Sequence, residues 1–162
     1  MAELTQIETK IAEVIGLAQA AQGAIDKVSG LVEDGELQQQ LQQVKQEAAE
    51  TEERTTQIVE GFEGKKTAIT EKARETKQEA TQMMQTYLGS DGDALDGFEF
   101  LTMAEAGEVG HWQVLGTMNQ KARISGLQEI IEWVTPIQER HFQQALQGSL
   151  QLAAEEDPNE PA

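Results

Sequence analysis

Apolar side chains recur at alternating spacings of three and four along this chain, and no other sequence feature constrains the fold as strongly. Residues three or four apart lie on the same face of an α-helix, so each run predicts a helix with one buried stripe. No long window alternates apolar and polar residues with the period of two that is typical of a β-strand. We therefore predict an all-α protein. The expected helices cover about residues 3–31, 36–62, 66–88, 94–119 and 125–152.

The chain length and the segments between these helices indicate a single domain. At 162 residues, the chain has the size of one domain with one core. Asp34 and Ser125 precede predicted helices and have side chains that favour the N-cap position. We expect one helical bundle over residues 1–155. Residues 156–162 combine acidic residues with proline and are predicted to form a disordered tail.

The composition excludes several classes of protein. The net charge is −17, from 29 acidic and 12 basic residues. Such a surface repels nucleic-acid phosphates and anionic headgroups, so we expect neither nucleic acid nor an anionic membrane as a partner. No apolar run reaches the ~18 residues of a membrane span, and no signal-peptide pattern is present. The absence of cysteine excludes disulfides and thiolate ligands, and the cytoplasm is the expected compartment.

Two of the predicted helices carry polar residues where their stripes require core residues. In the helix over 94–119, the stripe is Phe98, Leu101, Glu105, Glu108, Trp112 and Leu115. The helix over 125–152 repeats the anomaly, with Gln138 and His141 in the middle of its stripe. An ionised carboxylate in a core is costly unless it is paired or bound to a cation. The two carboxylates therefore predict either a polar network or a metal site.

The polar residues lie near the midpoints of the predicted helices, so a bundle would place them at a common level. A layer of carboxylates and imidazoles inside an apolar bundle is an arrangement that holds two metal ions. Oxygen and nitrogen donors of this kind suit iron, manganese or zinc. The alternative is a metal-free, hydrogen-bonded polar layer. The candidate metal ligands are Glu47, Glu50, Glu105, Glu108, His111, Gln138 and His141.

Three segments resemble the ferritin-like superfamily, and most closely its bacterial stress-associated YciF-type branch. They are GELQQQLQQVKQEAAETEERTTQIVEGFEGKKTAI, EFLTMAEAGEVGHWQVLGTM and IIEWVTPIQERHFQQAL. The resemblance implies a four-helix bundle in which helix 66–88 is a long crossover between the second and third bundle helices. In that family, two helices each supply one glutamate, and each of the other two supplies a Glu-x-x-His motif.

The family pattern carries over to this chain helix by helix. The second bundle helix matches with Glu47 and Glu50, and Glu50 stands at the usual histidine position. The third matches with Glu105 and Glu108, and His111 adds a nitrogen donor. The last matches with Gln138 and His141, where glutamine replaces the usual glutamate. The first helix offers only Ala18 or Gln19 where the family places a carboxylate.

The resemblance implies a stress-response protein that binds one or two iron or manganese ions, with a degenerate oxidase or peroxide-handling activity. The alternative is a non-catalytic, acidic helical scaffold or partner-binding protein without metal. Helix 66–88 either covers the bundle or mediates contacts in a homodimer. A third hypothesis is reversible lipid binding by amphipathic helices, and the negative charge disfavours this for anionic membranes.

Overall fold

The computed structural model describes residues 2–161, and Met1 and Ala162, the outermost residues of the predicted bundle and tail, lie outside it. Within this range the chain forms helices and no strand, which confirms the all-α prediction. None of the helices in this range has the length and apolar character that crossing a membrane requires. The helices are α1 (Gln6–Ser29), α2 (Gly35–Val59), α3 (Lys66–Leu88), α4 (Ala94–Ala122) and α5 (Leu127–Glu155).

Side-chain caps explain where three of the helices begin. The predicted cap of α2 is confirmed, because Asp34 Oδ1 accepts hydrogen bonds from the backbone N–H groups of Glu36 and Leu37, each 2.9 Å long. Thr5 and Asp93 cap α1 and α4 through capping boxes in which the side chain three residues later bonds back to the cap. Each box satisfies N–H groups that the first turn of a helix leaves unpaired.

The predicted cap of α5 is wrong. Gly126, not Ser125, is the N-cap residue, and no side chain caps this helix. Gly126 has a φ of 78°, a left-handed conformation that glycine adopts without steric cost. This conformation turns the chain between α4 and α5, so that Ser125 belongs to the turn and the helix starts later than predicted.

The ends of the helices also differ from the predictions. α2 ends at Val59, before the predicted residue 62, in the glycine-containing segment that leads to α3. α4 and α5 each extend three residues beyond their predicted ends, and α5 continues through Pro136. After α5, residues 156–161 form turns and irregular backbone.

Four of the helices contact one another in a ring, in the order α1, α2, α5, α4 and back to α1. α3 packs along α1 and has a smaller contact with α4. α1 is therefore covered on two sides, whereas its sequence predicted a single buried stripe. Gly16 marks the second side, because a Cβ atom there would lie 2.4 Å from the Ala73 carbonyl oxygen of α3.

The apolar core is divided into two clusters, one toward each end of the bundle. One cluster includes Ile11 and Ile15 of α1, Trp112 of α4 and Val134 of α5. The other is built from segments toward the opposite ends of the same helices and from the first part of α2. Its members include Ile25, Val28, Leu41, Val44, Phe98, Leu101 and Ala145. Along each of α1, α2, α4 and α5, the predicted polar midsection lies between the two clusters.

The predicted stripes of α4 and α5 are confirmed, because every one of their residues is buried, including Glu105, Glu108, Gln138 and His141. The same spacing in α2 predicts a stripe of Leu37, Leu41, Val44, Ala48, Thr51, Thr55, Ile58 and Phe62, and this stripe is buried as far as Thr55. Beyond Thr55, the neighbouring Val59 is buried, while Ile58 and Phe62 are only partly buried. A straight helix has 3.6 residues per turn, so its buried face drifts away from a strict seven-residue repeat.

Candidate functional site

Side chains from three helices meet in the layer between the two apolar clusters. Glu47 comes from α2, Glu105 from α4, and Gln138 and His141 from α5; we call these four residues the central cluster. They are brought together because α5 contacts both α2 and α4. The four residues are all among the predicted metal ligands.

His141 lies between the two carboxylates of the central cluster. Its Nε2 atom is 2.6 Å from Glu47 Oε2, and its Nδ1 atom is 3.6 Å from Glu105 Oε2. The imidazole is almost completely buried, with 3 % of its surface exposed. Gln138 donates a hydrogen bond to Glu105 Oε2, and Arg140 donates one to Glu47 Oε2. Every member of the cluster therefore has a polar partner.

These contacts favour the charged forms of His141 and Glu47. Burial lowers the pKa of His141, but the polar contacts with Glu105 and Glu47 and the negative charges of these residues raise it by more, so the net pKa lies above the ordinary value. Burial raises the pKa of Glu47, but hydrogen bonds from His141, Gln43 and Arg140 outweigh it and bring the pKa below the ordinary value. The two glutamate side chains thus favour the imidazolium form of His141.

Glu108 is buried but does not belong to the central cluster. Its side chain is 6 % exposed and lines a different cavity, between α1, α3 and α4. No hydrogen bond to its carboxyl group is found within residues 2–161. Burial, and then the nearby charge of Glu105, raises the pKa of Glu108 well above the usual value of a glutamate. Glu108 is therefore a buried side chain whose carboxyl group has no hydrogen-bond partner in the described part of the chain.

The structure does not bring Glu50 and His111 to the central cluster. Glu50 is exposed and pairs with Arg54 on its own helix at 2.6 Å. The Nδ1–H group of His111 donates to the Gly107 carbonyl, and its Nε2 atom lies 3.8 Å from Glu13 on α1. The His111 side chain is 40 % exposed. Both residues share the level of the cluster, but their side chains lie on other faces of α2 and α4.

The sequence did not indicate two further features of this layer. Arg140 reaches Glu47 although its position falls off the buried stripe of α5. Glu52 of α2 accepts hydrogen bonds from Gln19 and Gln22 of α1, at 2.9 and 2.7 Å. Polar residues beside a buried stripe do not follow a helical pattern that the sequence reveals. Which of them form pairs becomes clear only when the neighbouring helix is in place.

A small cavity adjoins the central cluster. Its volume is about 10 Å³, and its lining includes Glu105, His141 and Gln144. The Oε1 atom of Gln144 is buried and has no hydrogen-bond partner in the described part of the chain. A volume of this size is comparable to one water-sized sphere. Gln144, whose Oε1 atom is unpaired, therefore lines the same cavity as Glu105 and His141.

The side chains of the central cluster are of types that bind metal ions, but they are not arranged as a metal site. Two carboxylates and one imidazole are ligands that iron, manganese and zinc accept. Among residues 2–161, however, no group of three or more His, Asp or Glu side chains is arranged to hold a metal ion. Both nitrogens of His141 face carboxylates, a contact that favours a proton at the positions where a metal ion would bind. Metal binding must therefore displace a proton.

Replacing Glu108 with glutamine is expected to change how stability depends on pH. A folded state that keeps the Glu108 proton loses stability as pH rises from the usual glutamate pKa toward the raised folded-state pKa, by up to about 1.4 kcal/mol per pH unit. Glu108→Gln removes this loss without changing side-chain size. Between pH 5 and 7, the variant should gain about 1–3 kcal/mol over the wild type in urea unfolding. A difference that stays constant with pH would contradict the assignment.

A scan against protein-family models and searches of curated proteins and of solved structures found no match to this chain. The geometry of the central cluster is therefore the basis for proposing a function, together with the resemblance noted in the sequence.

Proposed function

We propose that this protein binds one divalent transition-metal ion, iron or manganese, at the central cluster, as a ferritin-like protein of the stress-response type. The observation that supports this proposal most directly is the meeting of Glu47, Glu105 and His141, from three helices, in one buried layer. Side chains of this kind on facing helices are how bundles of the ferritin-like kind hold metal. Carboxylate and imidazole donors together favour iron, manganese or zinc over magnesium.

The charges and the adjoining cavity support the same proposal. Glu47 and Glu105 together carry two negative charges, which would balance a divalent ion once the imidazole is neutral. Gln144 Oε1 supplies a further unpaired oxygen at the small cavity beside Glu105 and His141. When bound, iron or manganese would supply a Lewis-acid and redox centre, the chemistry that an oxidase or peroxide-handling activity requires.

The surrounding residues orient the proposed ligands and keep bulk water away. Gln138 holds Glu105 through its amide N–H group, and Arg140 holds Glu47. Such outer partners fix the direction of ligand oxygens in metal sites. The two apolar clusters above and below the layer exclude solvent.

Metal titration of tag-free protein tests this proposal. Apo-protein is mixed under nitrogen with Fe²⁺ or Mn²⁺, bound metal is measured after desalting, and Co²⁺ absorption reports the ligand environment. We expect about one ion per chain. Glu47→Gln should weaken binding 10-fold or more, because it removes a charged donor whose side chain is only partly buried. His111→Gln is the matched control, because it changes a histidine outside the cluster and should leave binding unchanged.

The second candidate function is a metal-free, acidic helical scaffold. One observation favours it: both nitrogens of His141 already face carboxylates, so the layer is charge-paired without any ion. Buried polar groups of this kind can fix the register in which helices pack. Failure to retain any metal after reconstitution under nitrogen, by protein with a native circular dichroism spectrum, would reject the metal proposal and leave this candidate.

A further inference from the structure

An open pocket lies on the side of the bundle between α1, α3 and α4, with a volume of about 290 Å³. Its walls are mostly apolar and include Leu17 and Ala21 of α1, Met84 of α3, and Phe100 and Met103 of α4. We call it the lateral pocket. A cavity of this size, with apolar walls and few polar groups, has the general character of a small-molecule site.

Glu108 is the polar group that distinguishes the lateral pocket from a packing gap. It lines the pocket, its side chain is 6 % exposed, and no group within residues 2–161 forms a hydrogen bond with its carboxyl. The carboxyl oxygens of Glu108 are not fully enclosed by protein, so a ligand or water in the pocket can reach them. An unpartnered carboxyl that lines an apolar pocket therefore indicates a ligand with a complementary polar group.

The rim of the lateral pocket is also suited to binding an apolar body. Met83 of α3 and Met103 of α4 are 67 % and 53 % exposed, respectively. Methionine side chains are flexible and polarizable, and they adapt to ligands of different shape. A bound apolar chain would cover both residues and remove their apolar surface from water.

The acidic residues of the lateral pocket determine which polar head group a ligand can carry. The chain carries a net charge of −17, and Glu105 and Glu108 both line the pocket. An anionic head group would be repelled, and a hydroxyl group would supply a hydrogen bond but no charge. An ammonium group supplies hydrogen-bond donors and a positive charge that stabilises the ionised form of Glu108, so binding of the amine would release the Glu108 proton.

We propose that the lateral pocket binds an aliphatic amine, whose apolar chain lies between α1, α3 and α4 and whose ammonium group pairs with Glu108. The volume of about 290 Å³ is large enough to receive an alkyl chain of medium length. Glu105 borders both this site and the proposed metal site, but Glu108 takes part in none of the hydrogen bonds of the central cluster.

Calorimetric titration with decylamine, decanol and decanoate in 150 mM salt tests the proposal, because the three probes share a chain and differ in head group. Butylamine at the same concentration measures attraction of the amine to the acidic surface alone. We expect saturable, one-to-one binding of decylamine. Decanol should bind at least 10-fold more weakly, and decanoate and butylamine should show no binding.

Three variants assign the binding to the lateral pocket. Glu108→Gln should weaken decylamine binding at least 10-fold and leave decanol binding unchanged. Glu79→Gln is the matched control: it removes an exposed carboxylate of α3 that does not line the pocket, and decylamine binding should stay at the wild-type level. Ala80→Leu, at a half-buried pocket residue, should weaken binding of decylamine and decanol alike.

Several results would overturn the proposal. Equal binding of decylamine to the Glu108→Gln variant and the wild type would show that Glu108 does not recognise the amine. Binding of decanoate as tightly as decylamine would show that charge does not select the ligand. Sedimentation showing a dimer that dissociates in the Ala80→Leu variant would mean that a second copy of the chain covers the pocket.

Discussion

Replacing His141 with leucine is expected to lower the free energy of unfolding of the metal-free protein by about 3–5 kcal/mol at pH 7. The imidazole lies between Glu47 and Glu105, so leucine leaves both carboxylates without their shared positive partner. The energetic cost is larger for Glu105 than for Glu47, because Glu47 keeps its contact with Arg140 and is partly exposed. Urea unfolding in the presence of EDTA, followed by circular dichroism, measures the effect.

Two further variants separate this effect from a general loss of packing. His111→Leu replaces a half-exposed histidine outside the central cluster and should change stability by less than about 0.5 kcal/mol. Adding Glu105→Gln to His141→Leu should restore part of the lost stability, because it removes the carboxylate left unpaired. If the double variant is less stable than His141→Leu alone, the imidazolium does not act as the partner of Glu105.

Alanine substitutions at two glycines of α1 are expected to have opposite signs. At Gly16, a Cβ atom would lie 2.4 Å from the Ala73 carbonyl oxygen and 2.8 Å from Thr76 Cβ, so α1 and α3 must separate. Gly16→Ala should destabilise the protein by about 1–3 kcal/mol. At Gly23, no atom lies within 4 Å of the added Cβ, and alanine stabilises a helix by about 0.5–1 kcal/mol relative to glycine.

The comparison between these two glycines tests the packing of α3 directly. Both substitutions add one methyl group in the interior of the same helix, so their helix propensities cancel in the difference. Thermal unfolding should place the two midpoints on opposite sides of the wild-type value. Stabilisation by both substitutions would mean that α3 does not approach α1 as closely as described.

The helices and their buried faces were largely predictable from the sequence alone. The spacings of three and four identified five helices, and the stripes of α4 and α5 are buried at every predicted position, including Glu105, Glu108, Gln138 and His141. This information is local, because the period of a helix determines which residues share a face wherever the helix packs. The polar level between two apolar clusters follows from the same patterns.

Other features could not be predicted from the sequence, because they depend on which helices pack against each other. The second buried side of α1 packs against α3, and the sequence of α1 does not indicate which helix covers it. Glu47 and Glu50 are three residues apart on α2, yet Glu47 reaches His141 while Glu50 pairs with Arg54. Glu105 and Glu108 also differ: both line the lateral pocket, but only Glu105 bonds to a member of the central cluster. Helical periodicity determines a shared face to within about one residue, whereas the partner of each side chain is decided by the rotation and packing of neighbouring helices.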